Sequence, residues 1–320
     1  MHRFSFLAVL ASAALTVSAT TLAQAASAPR AAISPLATPA AMEASRAVGI
    51  SSNGTVAGTL IPSLMSPTTD AAVWRNGVVS DLGRGDVLGI SPNGTAVGYT
   101  GRPEQAEAAT WNANGAVHHV GLLSGGTWSM ATAGNAVGQV VGYADTASGT
   151  RAFIASATGR PKDLGTRGGG PSYAYGINDG GLAVGSADGR AVEWDAAGRL
   201  LDLGAGASST AYGVNNGGDV VGDANGRAFL WSRARGIQRL QQPSSYTTSH
   251  ALAIGATGLV VGSAEYTPQG GLPETHAVLW SNRRLCDLNT LLPANSGWEL
   301  ETATGINAGG VLKDLKPRGV

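Results

Sequence analysis

Tyr175-Gly176-Ile177-Asn178-Asp179-Gly180-Gly181-Leu182-Ala183-Val184-Gly185 leads into Arg190-Ala191-Val192-Glu193-Trp194, then Asp195-Ala196-Ala197-Gly198 and Arg199-Leu200-Leu201-Asp202-Leu203. The apolar runs are too short for helices, and apolar residues do not recur at three and four. Asn178 to Gly181 and Asp195 to Gly198 carry residue types that tolerate positive φ, so each reads as a hairpin turn. The stretch is therefore four short antiparallel strands, two hairpins in about 40 residues, the content of a propeller blade.

The same order recurs along the chain. Gly-(Ile/Val)-(Asn/Ser)-x-x-Gly-x-x-Val-Gly, in strict or loose form, starts at residues 49, 89, 133, 176, 213 and 253, and a seventh start is Gly305-Ile306-Asn307. A period near 40 marks a propeller or a solenoid. Each unit continues into an aromatic-ended run, and Trp74, Trp111, Trp194, Trp231 and Trp280 recur at one position, which makes them core. Many units close on Asp-Leu-Gly, as at Asp81, Asp163 and Asp202. The fold class read from this is an all-β propeller over residues 44–320, with six four-stranded blades and a partial seventh. The seventh breaks after Gly310, and Gly310 to Leu315 reads either as an imitation of a fourth strand or as a truncated or frameshifted end. Ala31 to Leu36, within the linker 26–43, reads as a strand able to close the ring.

Asp163-Leu164-Gly165-Thr166-Arg167-Gly168-Gly169-Gly170, Ser172, Ala174, Gly176-Ile177-Asn178, Val184-Gly185 and the run Arg227-Ala228-Phe229-Leu230-Trp231 resemble the HAF family of extracellular bacterial repeat proteins. The His-Ala-Phe signature appears only in altered form, at Arg151-Ala152-Phe153, Arg227-Ala228-Phe229 and His276-Ala277-Val278. The resemblance spans residues 44 to about 310 and implies export and a propeller-like fold. It implies no catalytic residues.

Composition narrows the function classes. The chain has 320 residues, net charge +0, 13% charged residues, 47 glycines and one cysteine. Zero net charge lacks the basic footprint of a nucleic-acid or anionic-membrane binder. One cysteine excludes a disulfide framework, and Cys286 reads as a small buried hydrophobe. Met1-His2-Arg3, the apolar run Phe4 to Val17 and Ala23-Gln24-Ala25 read as a signal peptide over residues 1–25. The expected location is secreted or periplasmic, as a monomer. No later stretch reaches the 18 or so apolar residues of a membrane helix, so no membrane insertion is expected.

A four-strand blade places its a–b and c–d turns on one face and its b–c and d–a connections on the other. The first set is short and regular; the second is long, irregular and rich in loose aromatics. Variable loops on a rigid frame are where binding resides. Trp128, Tyr173, Tyr246, Tyr266 and Trp298 are the candidate ligand contacts, suited to stacking on sugar rings or anchoring a protein. Tyr175 and Tyr212, inside a repeated strand position, read as packing. Glu104 and Glu274 are the acids that an enzyme would use, since glycoside cleavage needs two carboxyls ~5–10 Å apart. His118-His119, His250 and His276 show no metal-ligand spacing, and Asp179, Asp188, Asp195 and Asp219 read as turn residues rather than calcium ligands.

No Gly-x-Ser-x-Gly elbow, His-Glu-x-x-His or Cys-x-x-Cys occurs;. The sequence therefore points to an exported, non-enzymatic propeller, without cofactor or metal, that binds an extracellular glycan, cell-wall polymer or protein through its long-loop face. A secreted hydrolase or glycan-cleaving enzyme using loop carboxylates is the alternative.

Overall fold

The computed structural model describes residues 13–16, 32–65, 68–156, 159–268, 271–293, 296–307 and 311–313, with backbone alone at 13–16, 32–35 and 311–313. The cleavage site at Ala23-Gln24-Ala25 and the C-terminal residues 314–320 lie outside the described residues. Seven four-stranded antiparallel sheets form a propeller. The inner strands, a, of blades 1 to 6 are Ala44–Ile50, Asp86–Ile90, Ser129–Gly134, Ser172–Ile177, Ser209–Val214 and Tyr246–Ile254. Strands b, c and d follow outward in chain order; in blade 4 they are Ala183–Ala187, Arg190–Trp194 and Leu200–Ala207. Helix among the described residues is limited to the 3-10 turns Pro103–Gln105 and Leu288–Leu291. No helix there is long and apolar enough to cross a membrane.

The seventh sheet is built from both ends of the chain. Gly305–Ile306 is innermost, followed outward by Val311–Lys313, Ala13–Thr16 and Ala32–Pro35. The segment read as imitating a fourth strand is thus a second strand, because only Gly305–Ile306 precedes it in this blade. Ala32–Pro35 does take part in closure, but it pairs with Ala13–Thr16 rather than with the C-terminal strand. Ala13–Thr16 falls within the segment read as a signal peptide. Gly305–Ile306 touches both Tyr246–Ile254 and Ala44–Ile50, so the ring is closed. Leu36 packs with Trp74, whose Nε1 donates to Ala37 O at 2.7 Å, so part of the linker belongs to blade 1.

The core is a set of seams between blades. Ala183, Val192 and Trp194 of blade 4 pack with Val141 and Ala152 of blade 3, whereas Val184 and Ala191 pack with Val220 and Phe229 of blade 5. Strands buried on both faces have few positions for charge, which accounts for the charge-poor composition.

Two repeated residues shape the inner strands. In blades 1 to 6 the a–b pairing slips by one residue, between Ala174 and Gly176 in blade 4. The extra residue forms a bulge and is turned into the central channel: Val48, Leu88, Thr132, Tyr175, Tyr212 and Leu252 line it;. The glycine of each Val-Gly lies against that bulge. A Cβ on Gly185 would stand 1.9 Å from Tyr173 O. The asparagine of Gly-Ile-Asn does more than make a turn. Asn178 Oδ1 accepts from Leu182 N at 3.0 Å, closing its own turn, and Nδ2 donates to Asn215 O of blade 5 at 3.0 Å. Asn135 reaches Asn178 O in the same way, at 3.0 Å. Among the four residues of the Asn178 turn, only Gly181 has positive φ, at 76°.

Glu193 breaks the pattern. Its position holds Val73, Thr110, Ile154, Leu230 and Leu279 in the other blades. Its side chain is 2% exposed; Oε1 meets Arg233 Nη2 of blade 5 at 2.7 Å, and Oε2 has no hydrogen-bond partner among the described residues. Burial raises its pKa above the ordinary carboxylate value despite Arg233. A carboxyl whose folded pKa is raised loses stability as pH climbs from its unfolded value through the folded one. Glu193→Leu is expected to stabilise the chain at pH 7 by about 1–3 kcal/mol, since an apolar residue replaces an incompletely paired buried charge. Urea denaturation at pH 7 measures it; a loss of stability would refute the reading.

Candidate functional site

Because every a strand runs away from a d–a loop, its first residues and the last residues of strand b lie at the long-loop end. There, blades 3, 4 and 5 place five aromatic rings in one chain of contacts. Trp128 meets Tyr143 edge-on with centroids 6.0 Å apart, and Tyr143 meets Tyr173 at 5.2 Å. Tyr173 stacks on Tyr175 at 6.3 Å and 9°, and Tyr175 continues to Tyr212 at 5.7 Å. All five are half-buried. Tyr175 and Tyr212 also line the central channel, a cavity of about 420 Å³. The row thus runs from the loop face to the inner wall of the channel, whose cavity opens at the short a–b turns beside Ser52, Asp179 and Asn216.

The residues behind this row hold its loops. Asp145 Oδ1 accepts from Thr127 N and Trp128 N, each at 2.7 Å, and Oδ2 accepts from Thr127 Oγ1 at 2.7 Å. Burial alone would raise the Asp145 pKa, but these bonds hold it below the ordinary value. Arg151, 8% exposed, donates to Gly170 O at 3.1 Å and Gly169 O at 3.3 Å, bracing the glycine loop that leads to Tyr173. Ser172 Oγ bonds Gly165 O at 2.8 Å and receives Ala152 N at 2.9 Å, tying that loop to blade 3. The phenols of Tyr175 and Tyr212 are pushed up to about 12, chiefly by burial. They stay protonated near neutral pH; Tyr212 donates its hydrogen bond to Asp223, and Tyr175 is left as a donor beside the ring faces;.

The sequence-read contacts divide. Trp128 and Tyr173 belong to the row. Tyr246 and Tyr266 form a separate pair in blade 6, 5.5 Å apart, next to His276. Tyr246 is only 9% exposed and its OH donates to Asp287 Oδ2 at 2.9 Å, so it supports rather than faces a ligand. Trp298 packs against the cluster of Val261, Leu279, Leu288 and Leu300, which fixes the segment leading into the seventh blade. Tyr175 and Tyr212, read as packing, line the channel instead because the bulge turns them inward. Tyr143 was missed. It follows the Val-Gly of strand b, where the other blades carry Thr59, Tyr99, Ser186, Asp223 and Ser263.

Glu104, exposed in the turn Pro103–Gln105, stands on blade 2, and Glu274 begins strand c of blade 6. These two acids are not brought together. Glu274 instead meets His276 and Glu299, the three ligand atoms lying within 4.8 Å of one another. Asp179 and Asp195 are engaged in turns: Asp179 accepts from Ala136 N at 2.8 Å, and Asp195 from Arg199 Nε at 2.7 Å. Cys286 is partly buried, and burial raises its thiol pKa.

No protein-family model matches the chain, and no curated protein matches it. Among solved structures, a catalytically inactive virginiamycin B lyase from Staphylococcus aureus, crystallised with quinupristin, matches 86% of this chain and 96% of its own length, at 12% identity and a TM-score of 0.52. The acylaminoacyl peptidase of Pyrococcus horikoshii matches 84% of this chain and 48% of its own, at 11% identity and a TM-score of 0.49. At such identities the likeness to the lyase is one of fold alone, and the fold it shares with this chain is the propeller.

Proposed function

We propose that the protein is an exported, non-enzymatic binding propeller whose long-loop face holds an extracellular glycan or cell-wall polymer at the aromatic row. The observation that carries this reading is the unbroken contact of Trp128, Tyr143, Tyr173, Tyr175 and Tyr212 from the loop face to the inner wall of the channel. Ring faces beside protonated phenols match the alternating apolar and hydroxyl surfaces of a sugar. The loops beneath are fixed by Asp145 and Arg151, so little ordering entropy is lost on binding. Export rests on the leader-like residues 1–25 and on the HAF resemblance.

Protein recovered from the culture medium or periplasm, its first residue read by mass spectrometry, is the material for the test. A mature chain starting at Ala26 would lack Ala13–Thr16 and keep Ala32–Pro35; an intact Met1 would end the leader reading. The Trp128→Ala/Tyr173→Ala double variant is expected to lose about ten-fold or more in affinity for insoluble cell-wall fractions and soluble oligosaccharides. Trp298→Ala should lower the melting temperature and leave affinity unchanged. Undiminished glycan binding by the double variant would remove the row from consideration; binding to a purified protein instead would change the ligand class.

A further inference from the structure

The start of strand c in blade 6 carries chemistry that the aromatic row does not use. At this position the other blades have Asp70, Glu107, Arg151, Arg190 and Arg227, and blade 6 has His276. The facing strand d supplies an aspartate. In blade 4 that residue, Asp202, pairs with Arg167 at 3.3 Å and Arg190 at 3.8 Å, an arrangement between full charges. In blade 6 it is Asp287, and Oδ2 meets His276 Nδ1 at 2.6 Å and Tyr246 OH at 2.9 Å while Oδ1 takes Asn289 N at 2.9 Å. His276 and Asp287 are 13% and 14% exposed, so the imidazole is held from behind. Its Nε2 is left for a second partner and lies 3.6 Å from Glu274 Oε2. Glu299, on the segment entering blade 7, completes the group.

We propose that Glu274, His276 and Glu299 bind one first-row divalent cation of the zinc class, with Asp287 as the positioning residue. An imidazole nitrogen with two carboxylate oxygens is a mixed donor set that suits Zn²⁺; Ca²⁺ takes six to eight oxygens. Metal–ligand bonds of about 2.0–2.2 Å at tetrahedral angles put donor atoms roughly 3.3–3.6 Å apart. The His276–Glu274 separation of 3.6 Å already meets that spacing. The remaining separations, within 4.8 Å, are those to Glu299, whose carboxylate turns toward the His276–Glu274 pair on binding. A carboxylate behind a histidine ligand fixes its orientation and raises its basicity, and Asp287 stands in that place. Three protein ligands leave a fourth position for water or a ligand group. The site lies on blade 6 and the aromatic row on blades 3 to 5, so each can fail without the other.

The full chain, stripped with EDTA, is titrated with ZnCl₂ by calorimetry and with Co²⁺ by visible absorption. One ion per chain and the intense bands of tetrahedral Co²⁺ are expected. Glu299→Gln and Glu274→Gln should each weaken Zn²⁺ at least ten-fold, and Asp287→Asn by about 10–100-fold. The His118→Ala/His119→Ala variant should bind as the parent does. Circular dichroism of each apo variant reports folding, and exposed Glu274 keeps the test decisive if a substitution at Asp287 unfolds the blade. Absence of saturable Zn²⁺ uptake, or uptake unchanged in both glutamine variants, overturns the proposal.

Discussion

Gly185→Ala is expected to lower the melting temperature by about 5 °C, from a loss of about 3 kcal/mol in a domain of this size. The added Cβ stands 1.9 Å from Tyr173 O and 2.9 Å from Ala174 Cα. Both obstacles are backbone, so no side-chain rotation relieves them. Strand a of blade 4 must shift, and the shift flattens the bulge that turns Tyr175 into the channel. The variant should therefore lose polymer binding along with stability, although Gly185 touches no ligand. Gly218→Ala is the contrast: φ is +81° there and nothing lies within 4 Å of the new Cβ. Its cost is backbone strain alone, about 1–2 kcal/mol. Thermal melts followed by circular dichroism compare the two; equal melts would show that the bulge does not need its glycine.

The tryptophans give the second large effect. Trp280 is 1% exposed, and Trp280→Ala should cost about 3–5 kcal/mol;. Phenylalanine substitutions separate volume from hydrogen bonding. Trp280 Nε1 donates to Gln241 O at 2.8 Å and Trp74 Nε1 to Ala37 O at 2.7 Å. Trp194 Nε1 has no partner among the described residues. Trp74→Phe and Trp280→Phe each leave a carbonyl without this donor, and Trp194→Phe removes a buried donor already unpaired. Trp194→Phe should thus be milder than the other two by about 1–2 kcal/mol. Urea titrations measure the series, and equal losses would refute the hydrogen-bond argument.

Local repetition was the legible part of this molecule. The period, the strand order and the core tryptophans all follow from short-range pattern, and each is present in the structure. The b–c and d–a connections are long in some blades and tight in others, as at residues 188–189, 225–226 and 208. What escaped depends on departures from regular pleating or on distant residues. Tyr175 sits in a strand, where alternation assigns it a buried face, but the slip at Ala174–Gly176 rotates it into the channel. Tyr143 could have been found by comparing the residue after each Val-Gly. Trp298 looked like a loop aromatic until the blade 6 edge supplied apolar neighbours. His276 and Asp287 are diagonal neighbours across one hairpin, Asp287 standing opposite Val278, so that pair was readable from strand order. Glu299 comes from the segment that leads to the next blade, and no spacing rule connects it to Glu274.

Closure of the seventh sheet sets the order in which the molecule can assemble. The asparagine seam between blades 4 and 5 joins residues 37 apart in the chain, whereas Thr304 Oγ1 to Val48 O and Asn307 Nδ2 to Ser51 O join residues 256 apart. Local seams can form as synthesis proceeds, giving a growing arc that is open at each end. The last seam waits for the C-terminal strands, and joining such distant points costs roughly 1.5–2 kcal/mol more loop entropy than a local seam. Until then the first-made inner strand, Ala44–Ile50, has a neighbour on one side only. An unfinished chain is therefore an open arc with an apolar blade face uncovered at each end and able to meet other chains, and the joining of the C-terminal strands to blade 1 covers them;.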